Sequence, residues 1–394
     1  MIHIKLIIRS KLTVKPAIGT VVQIMKHTKG KWKLLEEKTM KAFLVIALAL
    51  FLTLSLFTAC DKKPDDISSG FRTIVDMDGR TVEIPKNVNK VFCGWFQGSL
   101  HMMTLGASDK LVAISQYFTE EGFPWAHEIC PSVASVPHDQ SPFSNLEALL
   151  AYNPDVVFTL ADEDIMPEDY ENIGLSAVVV RFTDYDSYMK SISIMGEILG
   201  GEHAVKASRF RKFFGDNIAM VTERLADVSD ANKPLVHYVN SKEDNALFTK
   251  GNDQMEAAWI KLAGGRFSTE EYSGTIEITE EKLLQIEPDI VFVGDMKSAS
   301  AKKWMLSNAT IKNLKAVKSN QVYRCPQGIF PWDKMAPEAS MQMLWAAKVL
   351  HPDKFEDINI AKMAKDFYLE FYGKTVSDEN IELILEGRQG PMGE

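Results

Sequence analysis

The side chains with chemistry to offer are aromatics gathered in a few short segments. Trp95, Phe96 and Gln97, then Tyr117 and Phe118, then His138, Lys297, and finally Phe330 and Trp332 each sit in a loop expected just beyond a strand. In an open α/β lobe, ligands meet the loops past the carboxyl ends of the strands, so these residues are candidates for a ligand cleft. A cleft lined with aromatics suits a large, flat or greasy ligand, such as a macrocycle or a metal chelate. For any one ring, core or hinge packing is the competing explanation. Cations are sparse: Lys297 and Lys334 lie nearest, with Arg181 and Arg324 at strand ends. That scarcity argues against a highly anionic catecholate chelate. His101, His138 and His237 are scattered without ligand spacing, so no metal site is assigned. A small oxyanion held by backbone amides and one or two Ser or Lys needs no motif and stays open. The patterns GxSxG, HExxH, GxGxxG and the P-loop are absent, so no catalytic residue, no cofactor and no enzymatic activity is expected.

The chain has 394 residues, 25% charged and 46% hydrophobic, with a formal net charge of -9. This is the balance of a folded protein, not of a disordered tail or a polytopic membrane protein. The charge is unevenly placed. Residues 1–59 carry ten Lys/Arg and two Glu, so the remainder holds 34 basic and 51 acidic residues, a net of -17. A body that acidic is a poor partner for nucleic acid, whose binding rests on phosphate neutralisation.

The basic front end reads as an address. Met40-Lys41 precedes eighteen uncharged residues, Ala42–Ala59, which end at Cys60; a polar run, Asp61–Gly70, follows at once. This looks like a bacterial lipoprotein signal, with cleavage before Cys60 and lipidation of that cysteine. Phe57 stands where such signals usually have Leu, and an uncleaved N-terminal anchor is the alternative. The expected segments are therefore an over-extended start over 1–39, a signal peptide over 40–59 and a flexible tether over 60–70. The body is expected on the outer side of the cytoplasmic membrane. Cys93, Cys130 and Cys325 have no CxxC spacing and are expected to be buried thiols rather than a metal framework.

Several elements must position the candidate loops. Arg72–Val75 and Thr81–Ile84 flank Asp78-Gly79, a strong hairpin signal. Apolar strands then alternate with helices at Lys90–Cys93, Leu111–Ser115, Val156–Leu160 and Ala177–Phe182, which indicates a parallel sheet covered on both faces. From Asp184 to about Val228 no strand signal appears. Val205, Phe210, Phe213, Phe214, Ile218, Val221 and Leu225 recur at helical spacing, so a long amphipathic helix is expected there. Alternation resumes at Leu235–Val239, Ile290–Val293 and Gln321–Arg324, and Pro337–Leu385 reads as helical. The expected bodies are an N-terminal α/β lobe over 71–183, a helical linker over 184–230 and a C-terminal α/β lobe with terminal helices over 231–394. One phrase occurs in both lobes: Glu147-Ala148-Leu149-Leu150 leading to Pro154-Asp155, and Glu281-Lys282-Leu283-Leu284 leading to Pro288-Asp289.

From about Arg72 to His351 the sequence resembles substrate-binding lipoproteins of ABC importers, in the class whose two lobes are joined by one rigid helix. The resemblance rests on Asp76-Met77-Asp78-Gly79-Arg80-Thr81-Val82-Glu83-Ile84-Pro85, on the two Glu…Pro-Asp phrases and on the long helix near 202–228. It implies two Rossmann-like α/β lobes bridged by one long helix, with the ligand held in the cleft between them. It implies a ferric siderophore, haem or cobalamin as ligand. A haem would want an axial Tyr or His, a role open to Tyr117 or His138. Molybdate or tungstate is the oxyanion alternative on the same fold. The resemblance further implies an ABC permease and its ATPase as partners, with Glu147 and Glu281 docking onto the permease; a membrane tether through lipid and a monomer are also expected.

Overall fold

The computed structural model describes residues 70–161, 165–243, 246–294 and 298–391. The expectations on segments 1–39 and 40–59, on nearly all of 60–70 with Cys60, and on Lys297 lie outside the described residues.

The chain enters as a hairpin, β1 (Phe71–Val75) and β2 (Thr81–Pro85), turned at Gly79 in a left-handed conformation. The buried Asp76 carboxylate holds that turn. It accepts the backbone N–H groups of Asp78 and Arg80 and the Arg80 guanidinium at 2.8 Å. It also accepts the Val179 N–H, while Arg80 donates to the Ala177 carbonyl, so the hairpin is pinned to the lobe behind it.

That lobe is a parallel sheet of β3 (Val91–Cys93), β4 (Val156–Thr159) and β5 (Ala177–Val179), ordered β3-β4-β5. All three strands are buried throughout, as expected of a parallel sheet covered on both faces. Helices α1 (Gly98–Thr104), α2 (Pro124–Ile129), α3 (Leu146–Tyr152) and α4 (Pro167–Asn172) surround it. The segment expected as a strand over Leu111–Ser115 is instead two single bridges, Val91 to Leu111 and Ile114 to His138. It touches its neighbours but forms no ladder.

Two helices follow. The first, α5 (Tyr185–Leu199), is capped by Asp184 and turns at Gly200 into α6 (Gly201–Arg224). The long helical stretch is thus an antiparallel pair. A Cβ on Gly196 would collide with the Ala207 methyl, so this glycine sets how closely the two helices approach. With 24 residues α6 is about 36 Å long. Its buried positions, Ala207, Phe210, Phe214, Asn217 and Val221, repeat every three or four residues along one face. Asn217 donates to the Ser340 carbonyl and so ties α6 to the C-terminal lobe.

The second lobe has a four-stranded parallel sheet of β6 (Leu235–Val239), β9 (Arg266–Phe267), β11 (Ile290–Val293) and β12 (Val322–Arg324), ordered β12-β11-β6-β9. Beside it lies an antiparallel sheet of β7 (Ser241–Glu243), β8 (Ala246–Lys250) and β10 (Thr275–Ile278). The helices here are α7 (Met255–Leu262), α8 (Glu280–Ile286), α9 (Ser298–Ser307) and α10 (Lys315–Lys318). The chain ends in α11 (Ala339–Leu350), α12 (Ile360–Tyr372) and α13 (Asp378–Leu385).

The shared phrase has one physical meaning in both lobes. Asn145 and Thr279 cap α3 and α8, and both helices end at a residue in the left-handed region, Asn153 and Glu287. The following Asp reaches the start of the neighbouring strand. Asp155 accepts the N–H groups of Asn89 and Lys90, and Asp289 accepts that of Leu235. Each Pro-Asp therefore sets the register between a central strand and its neighbour.

The terminal helices return to the first lobe. The Tyr372 hydroxyl is 2.8 Å from that of Thr104 on α1, and the Trp125 indole donates to the Arg388 carbonyl at 2.6 Å. The lobes are therefore joined by α6 and by this returning segment. Cys93, Cys130 and Cys325 are buried free thiols.

Candidate functional site

A cavity of about 440 Å³ lies between residues of the two lobes. Trp95, Gln97, Leu160 and Phe182 form one wall, and Phe330, Pro331, Lys334 and Met335 form the other. The first wall stands beyond the carboxyl ends of β3, β4 and β5, the position an open α/β sheet reserves for ligand. The second is the loop after β12. Glu338 holds that loop: its buried carboxylate accepts the N–H groups of Ile329 at 2.9 Å and Phe330 at 2.7 Å and the Tyr368 hydroxyl at 2.5 Å. Burial outweighs these hydrogen bonds and pushes the Glu338 carboxyl up to about 7.

Lys334 brings the charge. Its ammonium donates to Glu256 at 2.9 Å, to Asn240 at 3.2 Å and to the Tyr238 hydroxyl at 3.3 Å, and it lies 3.6 Å from Asp333. It also stands over the Tyr238 ring, 5.6 Å from the centroid. Tyr238 in turn donates to Asp333. Desolvation, then the carboxylates of Asp333 and Glu256, drive the Tyr238 phenol well above its ordinary value, so it remains a hydrogen-bond donor. One ammonium thus faces two buried carboxylates, and this wall carries no net positive charge.

The sequence-derived candidates separate into groups. Trp95, Gln97 and Phe330 line the cavity. Phe96 packs between Phe118, Phe123 and Phe330, and Phe118 stacks on Phe123 with ring centres 4.7 Å apart. This cluster brings rings of the first lobe against Phe330 of the second. Phe118 and Trp332 are fully buried and do not line the cavity, because their loops turn them inward. Tyr117 is 66% exposed. His138 is half-buried and close to the Val133 carbonyl. Leu160, Phe182 and Met335 also line the cavity without a sequence signal that singled them out; the first two follow from the same strand-end rule that selected Trp95.

Glu147 and Glu281 occupy equivalent exposed positions in the first turns of α3 and α8. Neither has an ion-pair partner among the described residues. Arg181 is engaged by Asp78 at 2.7 Å. Among the described residues no group of three or more His, Cys, Asp or Glu is arranged to hold a metal ion.

Comparison with known proteins decides the family: residues 99–328 match the periplasmic binding proteins. The chain belongs to that family. This binding protein is 25% identical over 338 residues to the molybdate-binding protein MolA of Haemophilus influenzae, covering 78% of this chain and 93% of that one. It is 25% identical over 185 residues to the Fe(3+)-citrate-binding protein YfmC of Bacillus subtilis, which covers 45% of this chain and 56% of that one. Its fold is similar to a periplasmic solute binding protein from Veillonella parvula, with a TM-score of 0.71, 23% identity, and coverage of 80% of this chain and 97% of that chain. The binding protein is therefore an extracytoplasmic ABC substrate-binding protein of two α/β lobes, which implies a permease and ATPase as partners. Its relatives are transport proteins rather than enzymes.

Proposed function

We propose that this binding protein captures an iron(III) chelate or a related tetrapyrrole, such as a siderophore complex, haem or cobalamin, and delivers it to its permease. The observation that carries the reading is the makeup of the interlobe cavity. Trp95, Phe182 and Phe330 offer broad apolar faces, and the ammonium of Lys334 is matched by Glu256 and Asp333. Such walls favour a bulky ligand of low net charge over a small polyanion, since aromatic area supplies the affinity. The similarity to an iron-citrate-binding protein supports an iron chelate as the ligand. Molybdate is the second reading, favoured by the likeness to MolA along nearly all of that protein's length. Gln97 and Lys334 would then donate to the oxyanion. In either case Glu147 and Glu281 dock onto the permease, one carboxylate per lobe fixing the orientation by charge-assisted contacts. Cys60 carries the lipid that tethers the monomer to the membrane.

The test is a thermal-shift screen of the purified protein against ferric siderophores, ferric citrate, haemin, cobalamin and molybdate. Ligand binding to the native state alone raises the melting temperature by mass action. A rise with molybdate and none with the chelates or tetrapyrroles would overturn the first reading in favour of the second.

A further inference from the structure

A second cavity lies outside the cleft. It lies in the second lobe, has a volume of about 930 Å³ and shares no lining residue with the interlobe cavity. Its floor is apolar: Trp345, whose ring packs 5.2 Å from that of Phe292, together with Leu385. Four cations converge on it from three parts of the chain: Lys302 and Lys303 from α9, Arg324 from β12, and Arg388 beyond α13. One acid, Glu386, lines the same cavity, and it is bound to Arg388 at 3.0 Å. Such a cluster is out of character for a body that is strongly acidic as a whole.

Lys302 shows what the cluster lacks. Its ammonium is half-buried and has no hydrogen-bond or ion-pair partner among the described residues, Glu386 acting on it only through its charge. Burial, then the nearby Arg324 charge, pulls its pKa below the usual lysine value. A charge withdrawn from water is normally held by an opposite one. Here apolar surface and an excess of positive charge, four cations against Glu386, meet in one concavity, the pattern of a site whose remaining counter-charge comes from outside the chain.

We propose that this cavity is a second ligand site, which takes a small organic anion with an apolar body: an aromatic or alkyl carboxylate or sulfonate. The apolar part lies on Trp345 and Leu385, and the anionic head meets Lys302, Lys303 and Arg388. The proposal is independent of what the interlobe cleft binds.

The probe is anilinonaphthalene sulfonate, titrated into the folded full-length protein by fluorescence, with phenylnaphthylamine as the same ring system without charge. The sulfonate should bind saturably, one per chain, and weaken as salt is raised. Lys302→Glu should lower its affinity at least tenfold, and Lys302→Gln by less, with melting temperatures showing both variants folded. Binding of the cleft ligand found by the thermal-shift screen should be unchanged in both. Equal sulfonate affinity in the wild type and Lys302→Glu, equal binding of the uncharged probe, or the absence of saturable binding would each overturn the proposal.

Discussion

Replacing Glu338 with Gln tests the electrostatics of the loop that carries Phe330. The Glu338 carboxyl is fully buried and its pKa rises from 4.5 to about 7. A folded-state pKa above the unfolded one means that folding favours the protonated form. Its contribution is fully present below pH 4.5 and is lost as pH rises through about 7. At about 1.4 kcal/mol per pKa unit, this rise corresponds to about 3 kcal/mol lost across that window. Glutamine cannot titrate. It keeps one oxygen acceptor for the loop but turns an amide N–H₂ toward one of the three donors, Ile329, Phe330 or Tyr368. That mismatch sets an offset between the two proteins that does not vary with pH. The difference in melting temperature between Glu338→Gln and the wild type should therefore move in favour of the variant as pH rises, by on the order of 5 °C. Buried histidines titrate in part of the same range, but both proteins share them and they drop out of the difference. Differential scanning fluorimetry at half-unit pH steps is sufficient. Two curves that run parallel through the window would refute the reasoning.

Other outcomes follow from the same structure. His101 and His237 are fully buried and held down to about 3 by desolvation, so each contributes stability above pH 6.5 that is lost as pH falls toward 3. Because both ring nitrogens of His101 lack a partner among the described residues, His101→Phe should raise the urea midpoint and flatten the acid limb; an unchanged acid limb counts against this account. A Cβ on Gly294 would collide with the Tyr238 hydroxyl and the Asp333 carboxylate, so Gly294→Ala should cost about 2 kcal/mol by chemical denaturation. It should also weaken cleft binding, because Lys334 rests on those two groups. Glu147→Arg combined with Glu281→Arg should abolish uptake in cells while ligand affinity measured by titration stays the same; uptake that persists removes the docking assignment.

Much of the frame was legible because local chemistry and fold agree. Asp78-Gly79 marked the hairpin, and the two Pro-Asp phrases marked matching helix-to-strand turns. What the aspartates do there, clamping the neighbouring strand, is a contact across 54 to 66 residues and has no local signature. Leu111–Ser115 has strand composition but only single bridges, since pairing depends on neighbours that the segment cannot specify. The β7-β8-β10 sheet was missed because its strands are short and interrupted by polar residues. Helix α9, rich in Ser, Ala and Lys, gave no apolar period. In the cleft, the strand-end rule selected Trp95 and Gln97 but not the inward turn of Phe118 and Trp332, which packing decides. Lys334 was visible as a nearby cation; its two carboxylate partners, 78 residues away and adjacent to it in the chain, were not.

The returning C-terminal segment has a consequence in time. Trp125 is fully buried, and its indole is satisfied by a carbonyl 263 residues later, close to the end of the chain. Thr104 on α1 likewise meets Tyr372, 268 residues away. The first lobe to be made is therefore the last to be completed. While the chain is still threading across the membrane, that lobe lacks partners that have yet to be synthesised or to emerge. Contacts of such long sequence separation form late and slowly. Completion of the N-terminal lobe therefore waits on residues 372–388 being in place.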